Sequence, residues 1–239
     1  KKLSIDTNGD GKLDKFGTNY NVNEWQFINL LHQAGGSILD ENGKPQLNSP
    51  QGIEALSYTS DLINKDKTVY LVREFEGQND FLAGIAAMYE GSSVSITHMR
   101  QQPINFNIGY APLPIYKTNQ SAVSGANIVI FKSGDRKREL AAWIWLKYYT
   151  SPGPQEQWAE YSGYFPTRLS VADEMTAYFM ANPAYKTGFD LLEYGAFEPP
   201  VPGYDFVRDE IELVMAALVD DPSLDVQAEL DILNDVANG

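Results

Sequence analysis

The segment Ser124–Arg168, SGANIVIFKSGDRKRELAAWIWLKYYTSPGPQEQWAEYSGYFPTR, constrains the fold of this chain more than any other. Asn127–Phe131 is β-branched and aromatic, the composition of a buried strand. Ser133-Gly134-Asp135 is a turn that offers Asp135 as a helix N-cap. Between Lys137 and Thr150, Leu140, Trp143, Ile144 and Tyr148 recur at helical spacing. Trp145, Leu146 and Tyr149 widen that face, which predicts a helix covered on most sides. Ser151-Pro152-Gly153-Pro154 interrupts it, because proline disfavours helical backbone in the residue before it. Gln155–Ser162 reads as a second helix, ended by Gly163 in the left-handed conformation. Tyr164, Phe165, Pro166 and Arg168 follow on a proline-stiffened loop. Two loops, Ser124–Asn127 and Tyr161–Arg168, are expected to face one cleft.

The chain has 239 residues, enough for one large domain or two lobes, and its 43% hydrophobic content is that of a globular protein. A net charge of −14 argues against nucleic-acid binding and against adsorption to anionic membranes. There is no cysteine, so disulfides and thiolate metal sites are excluded. No apolar run is long enough to span a bilayer. The absence of a signal-peptide pattern fits a mature or truncated chain. No catalytic constellation emerges. There are 32 acidic residues but no motif that selects a pair, two histidines (His32 and His98) that read as surface or packing residues, and no nucleophile elbow or P-loop.

Asp6-Thr7-Asn8-Gly9-Asp10-Gly11-Lys12-Leu13-Asp14 has the spacing of the first part of a calcium loop. Oxygens of Asp6, Asn8, Asp10, the Lys12 carbonyl and Asp14 could surround one structural calcium ion. Gly17 stands where the acidic twelfth position is expected, and the alternative is a tight Asn/Asp/Gly turn that binds nothing. Asn23 caps a helix carrying Phe27, Leu30, Leu31 and Ala34, ended by Gly35-Gly36, with Trp25 in its first turn. Ser37–Leu47 reads as a hairpin around a type I′ Asn42-Gly43 turn, and Ser49-Pro50 begins the next helix. Ile85–Tyr89 reads as a buried strand, followed by Glu90-Gly91-Ser92-Ser93 and a helix over Val94–Gln102. Ser92 and Ser93 at that N-terminus are candidates to hold a hydroxyl or an anionic oxygen, or to cap. Ser170 is expected to cap a helix through Met180 and Asn182-Pro183 the next one. Asp205 should cap a helix with Ile211, Val214, Met215 and Leu218, and Ser223 should begin a last helix reaching Gly239.

Several of these pieces, in this order, resemble the family 1 extracellular solute-binding proteins of bacterial ABC importers. They are Phe81–Met88 before Gly91-Ser92-Ser93, the strand-like FNIGYAPLP of Phe106–Pro114, SGANIVIF, the helix ELAAWIWLKYY and the loop GYFPTR. The similarity runs from about Asp6 to the C-terminus and is nearest to the glycerol-3-phosphate and oligosaccharide receptors. The resemblance implies an α/β, two-lobed periplasmic-binding-protein fold of class II, with much of the first lobe absent from this chain. Residues 1–110 would be a segment of the second lobe, 111–150 a hinge strand and a segment packing with the first lobe, and 151–239 a return to the second lobe. It also implies a receptor without enzymatic activity that closes on a carbohydrate or polyol and hands it to permease subunits. The expected protein is monomeric and extracellular or periplasmic, and the parent protein would be lipid-anchored. Ligand contacts would fall on Trp25, Ser92, Ser93, Gly125, Asn127, Tyr164, Arg168 and Tyr204. A phosphorylated ligand would need arginine, and only Arg168 and Arg208 lie near these loops, with Arg208 expected to point to solvent. A polysaccharide hydrolase and a non-transport interaction module are the alternatives from other classes.

Overall fold

A computed structural model describes residues 1–238; Gly239, expected at the end of the last helix, lies outside the described residues. In chain order the elements are β1 (Phe16–Asn21), α1 (Glu24–Gln33), α2 (Pro50–Ser60) running into a π-helical turn (Asp61–Lys65), β2 (Val69–Val72), α3 (Glu76–Leu82) and β3 (Ala86–Met88). They continue with α4 (Ser95–Met99), β4 (Ser121–Val123), α5 (Arg136–Tyr149), α6 (Pro152–Ser162), α7 (Leu169–Glu174), α8 (Thr176–Ala181) and α9 (Pro183–Asp190). A 3-10 turn (Leu191–Tyr194), β5 (Gly195–Phe197), α10 (Tyr204–Asp220) and α11 (Val226–Asn238) complete it. The chain forms two compact units. The first contains Lys1–Gly91, Leu113–Val123 and the chain from Tyr194 onward; the second contains Ser92–Pro112 and Ser124–Glu193.

The first unit is an α/β layer. Its sheet has the order β2-β1-β3, all parallel, with Thr18 opposite Val69 on one side and Met88 on the other. A parallel two-stranded ribbon pairs Ala122 of β4 with Ala196 of β5. Asn23 caps α1 as expected, its side chain accepting the Gln26 N–H, and Phe27, Ile28 and Leu31 are buried. In α10, Val207, Ile211, Met215 and Leu218 fall at steps of four, four and three, one stripe of a helix. This stripe packs with Leu56, Leu230 and Leu233 into one core. Ser49 caps α2, and Gly52 is required there, since a Cβ would lie 1.8 Å from the Leu47 carbonyl oxygen.

Several local expectations are corrected. Ser37–Leu47 is not a regular hairpin: a single antiparallel bridge joins Leu39 and Pro45, and of the Asn42-Gly43 pair only Gly43 has positive φ, so the turn is not type I′. The Asp40 carboxylate organises it instead, accepting the N–H groups of Asn42 and Lys44 at 2.8 Å each. Asp205 is not the cap of α10, which begins one residue earlier after Gly203 in the left-handed conformation. Asp225 rather than Ser223 caps the last helix, accepting from Gln227 and Ala228. The single helix expected from Ser170 to Met180 is two, α7 and α8, meeting at Met175.

The second unit is helical. Ala159, Val171, Met175 and Tyr185 form its small core, ringed by Phe165, Tyr178 and Phe179. Asp135 caps α5 as expected, and Gly163 ends α6 at φ +81°. Asn127–Phe131 and Phe106–Pro114, both expected as strands, are irregular. A strand exists only through ladder partners, and the described residues of this unit contain none. Nor is α5 covered: none of its residues is buried, and Trp143 and Trp145 keep 56% and 54% of their surface. Its apolarity has no matching surface among the described residues of its unit.

His32, at the end of α1, is buried and its Nδ1 lies 3.2 Å from the Gly36 carbonyl oxygen, which makes Nδ1 the protonated nitrogen. Burial lowers its pKa below the ordinary 6.5, and the Gly36 contact opposes this only partly. Its share of stability is therefore complete above pH 6.5 and lost as the pH falls through the lowered value. His32→Asn, which keeps an N–H for Gly36, should lack that share. The expected outcome is a smaller drop in urea midpoint between about pH 7.5 and about pH 5 for the variant than for the wild type.

Candidate functional site

In an open parallel sheet the carboxyl ends of the strands form the ligand crevice. Here Val22-Asn23 follow β1, Arg73-Glu74 follow β2 and Tyr89-Glu90 follow β3. Val22, Asn23, Arg73, Glu74 and Glu212 line an open cleft of about 250 Å³ in the first unit. Burial, and then the adjacent Glu24 carboxylate, push the Glu212 carboxyl up.

Trp25 follows the N-cap of α1 and is half-buried. The Arg208 guanidinium sits 5.4 Å from its ring centroid, within cation–π range. Arg208 was expected to point to solvent, and this is corrected: its Nε donates to Glu24 Oε1 at 2.7 Å and its Nη2 makes a second, closer contact to the same oxygen. The Glu24 side chain keeps only 3% of its surface, so a charge there needs its partner. Glu198 approaches the same guanidinium at 3.6 Å. Tyr204 is buried, and neither its hydroxyl nor Glu198 Oε1 has a hydrogen-bond partner among the described residues. Burial first and the neighbouring Glu198 second push the Tyr204 phenol up. Tyr204 thus packs within the first unit rather than standing on an exposed loop.

Glu90 was not singled out from the sequence. Its Oε2 accepts from Gln26 Nε2 at 3.3 Å and its Oε1 from Asn29 Nδ2 at 3.4 Å. Burial pushes the Glu90 carboxyl up, against these two amide contacts. The available signal was an acidic residue ending an apolar strand just before Gly91-Ser92, which is weak without its partners more than sixty residues away.

The second unit gathers part of the expected set. A Cβ on Gly188 would lie 3.0 Å from the Phe165 ring and 3.4 Å from Ser93 Cβ, so Ser93 and the 163–168 loop share a neighbour. Gly163 approaches Thr97 so closely that a Cβ would clash with its hydroxyl. The Tyr164 carbonyl accepts from the Tyr185 hydroxyl at 2.8 Å, and the Tyr164 ring stacks on Trp158 with centroids 6.3 Å apart. Arg168 donates through Nε to the Thr150 carbonyl. Ser92 Oγ accepts the Val94 N–H at 3.4 Å. The helix after it is only Ser95–Met99 rather than Val94–Gln102, so a helix-dipole role for Ser92 and Ser93 loses its basis. Gly125 and Asn127 lie on an exposed segment, and a Cβ at Gly125 would meet nothing within 4 Å.

In the Asp6–Asp14 loop, Asp6 accepts the N–H groups of Asn8, Gly9 and Gly11, and Asp14 accepts the N–H and hydroxyl of Thr7. Among the described residues no group of three or more His, Cys, Asp or Glu side chains converges to hold a metal. The loop as it stands is a turn closed on its own side-chain oxygens.

Removing Arg208 alone would leave Glu24 buried and unpaired. Arg208→Ala is expected to cost about 3–5 kcal/mol. The joint replacement Glu24→Leu, Arg208→Met should cost less than that single change. Urea unfolding of the three proteins measures both.

A family profile of bacterial extracellular solute-binding proteins matches residues 10–187. Among solved structures, the maltose/maltodextrin-binding domain MalE of Bdellovibrio bacteriovorus, bound to maltotriose, superposes with a TM-score of 0.76 at 24% identity. That match covers 99% of this chain and 62% of the other. MalE of Xanthomonas citri gives 0.75 at 21% identity, covering 94% and 58%. UgpB of Mycobacterium tuberculosis, in complex with glycerophosphocholine, gives 0.72 at 20%, covering 93% and 59%. The chain has the α/β fold of these proteins and spans about 60% of their length. It belongs to the bacterial extracellular solute-binding protein family.

Proposed function

We propose that this chain is the ligand-holding part of an extracellular receptor that captures a carbohydrate or polyol and delivers it to an ABC permease. It performs no chemistry on its cargo. The observation that carries the reading is the position of Trp25 in the first turn of α1, at the carboxyl end of a parallel sheet in a chain of this family, on the helix that also carries Gln26 and Asn29 with their partner Glu90. A flat ring offers a stacking face for a sugar, and amides and carboxylates exchange hydrogen bonds with hydroxyls. MalE proteins bound to maltose or maltotriose are among the structures that share this fold, which supports a neutral saccharide. A phosphate is disfavoured, because Arg208 is engaged by Glu24, Arg168 by a carbonyl, and Arg73 shares its cleft with Glu74 and Glu212.

The chain passes between its two compact units after Gly91, Pro112, Val123 and Glu193. Multiple crossings suit closure by a hinge, and Phe106–Pro114 contains one of them. In this reading the further candidate contacts are Ser92, Ser93, Gly125, Asn127, Tyr164 and Arg168. The working protein is monomeric and lipid-anchored, and permease subunits read its closed state. Calcium at Asp6, Asn8, Asp10, Lys12 and Asp14 is the remaining element, and it requires the loop to rearrange from its present hydrogen bonds.

A thermal-shift screen against maltotriose, other saccharides, polyols and glycerophosphocholine tests the reading. A ligand at about one hundred times its Kd should add about 2.7 kcal/mol of stability. Trp25→Ala and Tyr164→Ala should each weaken the affinity about 2- to 10-fold, the worth of one aromatic contact. A folded protein that no saccharide or polyol stabilises would contradict the receptor reading. Repeating the screen with calcium tests the loop: a shift abolished by Asp10→Ala supports the ion, and no shift leaves the turn.

A further inference from the structure

Asn29 lies on α1 between two partners of opposite kind. Its Oδ1 accepts the Ala122 N–H at 2.8 Å, and its Nδ2 donates to Glu90 Oε1 at 3.4 Å. An amide side chain has one accepting and one donating end, so its two partners must differ in the same sense. Glu90 supplies acceptors at both oxygens and receives Gln26 Nε2 on the other. A carboxyl at position 90 therefore dictates which way Asn29 faces. With Glu90 removed, the Asn29 NH₂ loses its acceptor and only the Ala122 N–H still orients the amide; a turned Asn29 would leave that edge-strand donor unpaired.

The location gives this relay its consequence. Glu90 and Gly91 are the last residues before the chain leaves the first unit at Ser92, and β4 ends at Val123, the last residue before it leaves again at Ser124. The stretch leading into β4 is already laid along the end of α1. The Gln33 carbonyl accepts from Lys117 and Thr118 at 3.0 and 3.1 Å, and the His32 carbonyl accepts from the Thr118 hydroxyl at 2.8 Å. Asn29 adds the final attachment, one residue short of the exit.

We propose that Glu90 is a positioning residue whose carboxyl orients the Asn29 and Gln26 amides and, through Asn29, pins β4 at Ala122. The segments departing after Gly91 and after Val123 are thereby held to one helix in one register. If the chain is a sugar receptor, its affinity depends on Glu90 although Glu90 need not touch the sugar. That last consequence rests on the receptor reading, and the hydrogen-bond relay does not.

The test is residue-resolved amide hydrogen exchange of the protein without ligand. Glu90→Ala should speed exchange at Ala122 about tenfold, the loss of one hydrogen bond, with the α10 amides of Ile211 and Met215 unchanged. The exchanged pair Asn29→Asp, Glu90→Gln reverses donor and acceptor between the two positions. The carboxylate then at position 29 would still accept from Ala122. The amide then at position 90 would donate to that carboxylate, and its carbonyl would still accept from Gln26. This pair should return Ala122 to within about threefold of the wild-type rate. Should Glu90→Ala fail to fold, Asn29→Asp alone against the pair carries the same comparison, since only the single change sets two carboxylates face to face. Wild-type exchange at Ala122 in Glu90→Ala, or a pair no slower than the single variants, would overturn the proposal. Calorimetry with maltotriose then reads the functional consequence, with weaker binding in Glu90→Ala and recovery in the pair. If the wild type binds no sugar, the receptor reading fails while the exchange rates still decide the relay.

Discussion

Phe27, Ile28 and Leu31 project from α1 into the space between α2, α10 and α11, where they retain 1%, 0% and 0% of their surface. Burying three such side chains contributes about 1.5–3 kcal/mol each. It also fixes how α1 is rotated about its axis, and the polar residues on its other positions inherit that setting. Glu24 in the first turn meets Arg208 of α10. Gln26 and Asn29 meet Glu90 at the end of β3, and Asn29 meets β4. The helix that anchors the core is therefore the one that sets Trp25 at the edge of the sheet. A change in its packing would move the candidate contact and the polar attachments together.

Electrostatics divides the work differently in the two halves of this surface. The Glu24–Arg208 pair is a buried charge with one dedicated partner, and such pairs give fixed geometry more than net stability. Glu90, Glu198 and Glu212 are instead carboxyls whose pKa burial pushes up. Where the strands end, Glu74 and Glu212 outnumber Arg73, which disfavours an anionic ligand there.

What could be read from the sequence was local. The caps at Asn23, Ser49 and Asp135, the left-handed Gly163 and the helical stripe of α10 each depend on a few adjacent residues, and each stands in the structure. Asn127–Phe131 has strand composition but no strand to pair with among the described residues of its unit, so composition alone predicted too much. The apolar faces of α5 likewise have no covering surface among the described residues of its unit, since periodicity reports a capacity for burial and not what covers it. The polar attachments were illegible for the opposite reason. Glu24 and Arg208 are 184 positions apart, and Gln26 and Glu90 are 64 apart, with no motif linking them. Of the expected contacts, Trp25 lies in the first turn of α1 after β1 ends, Ser93 and the Tyr164 loop are neighbours, and Gly125 and Asn127 lie on an exposed segment.

The central claim is that a neutral saccharide meets the chain where β1, β2 and β3 end. The most direct measurement is the NMR signal of the Trp25 indole N–H during titration with maltotriose, assigned by its loss in Trp25→Phe. The account predicts a saturable shift of that signal, with backbone amides of Asn23 and Glu90 moving at the same ligand concentrations. Saturable sugar binding that leaves Trp25, Asn23 and Glu90 unperturbed would contradict it.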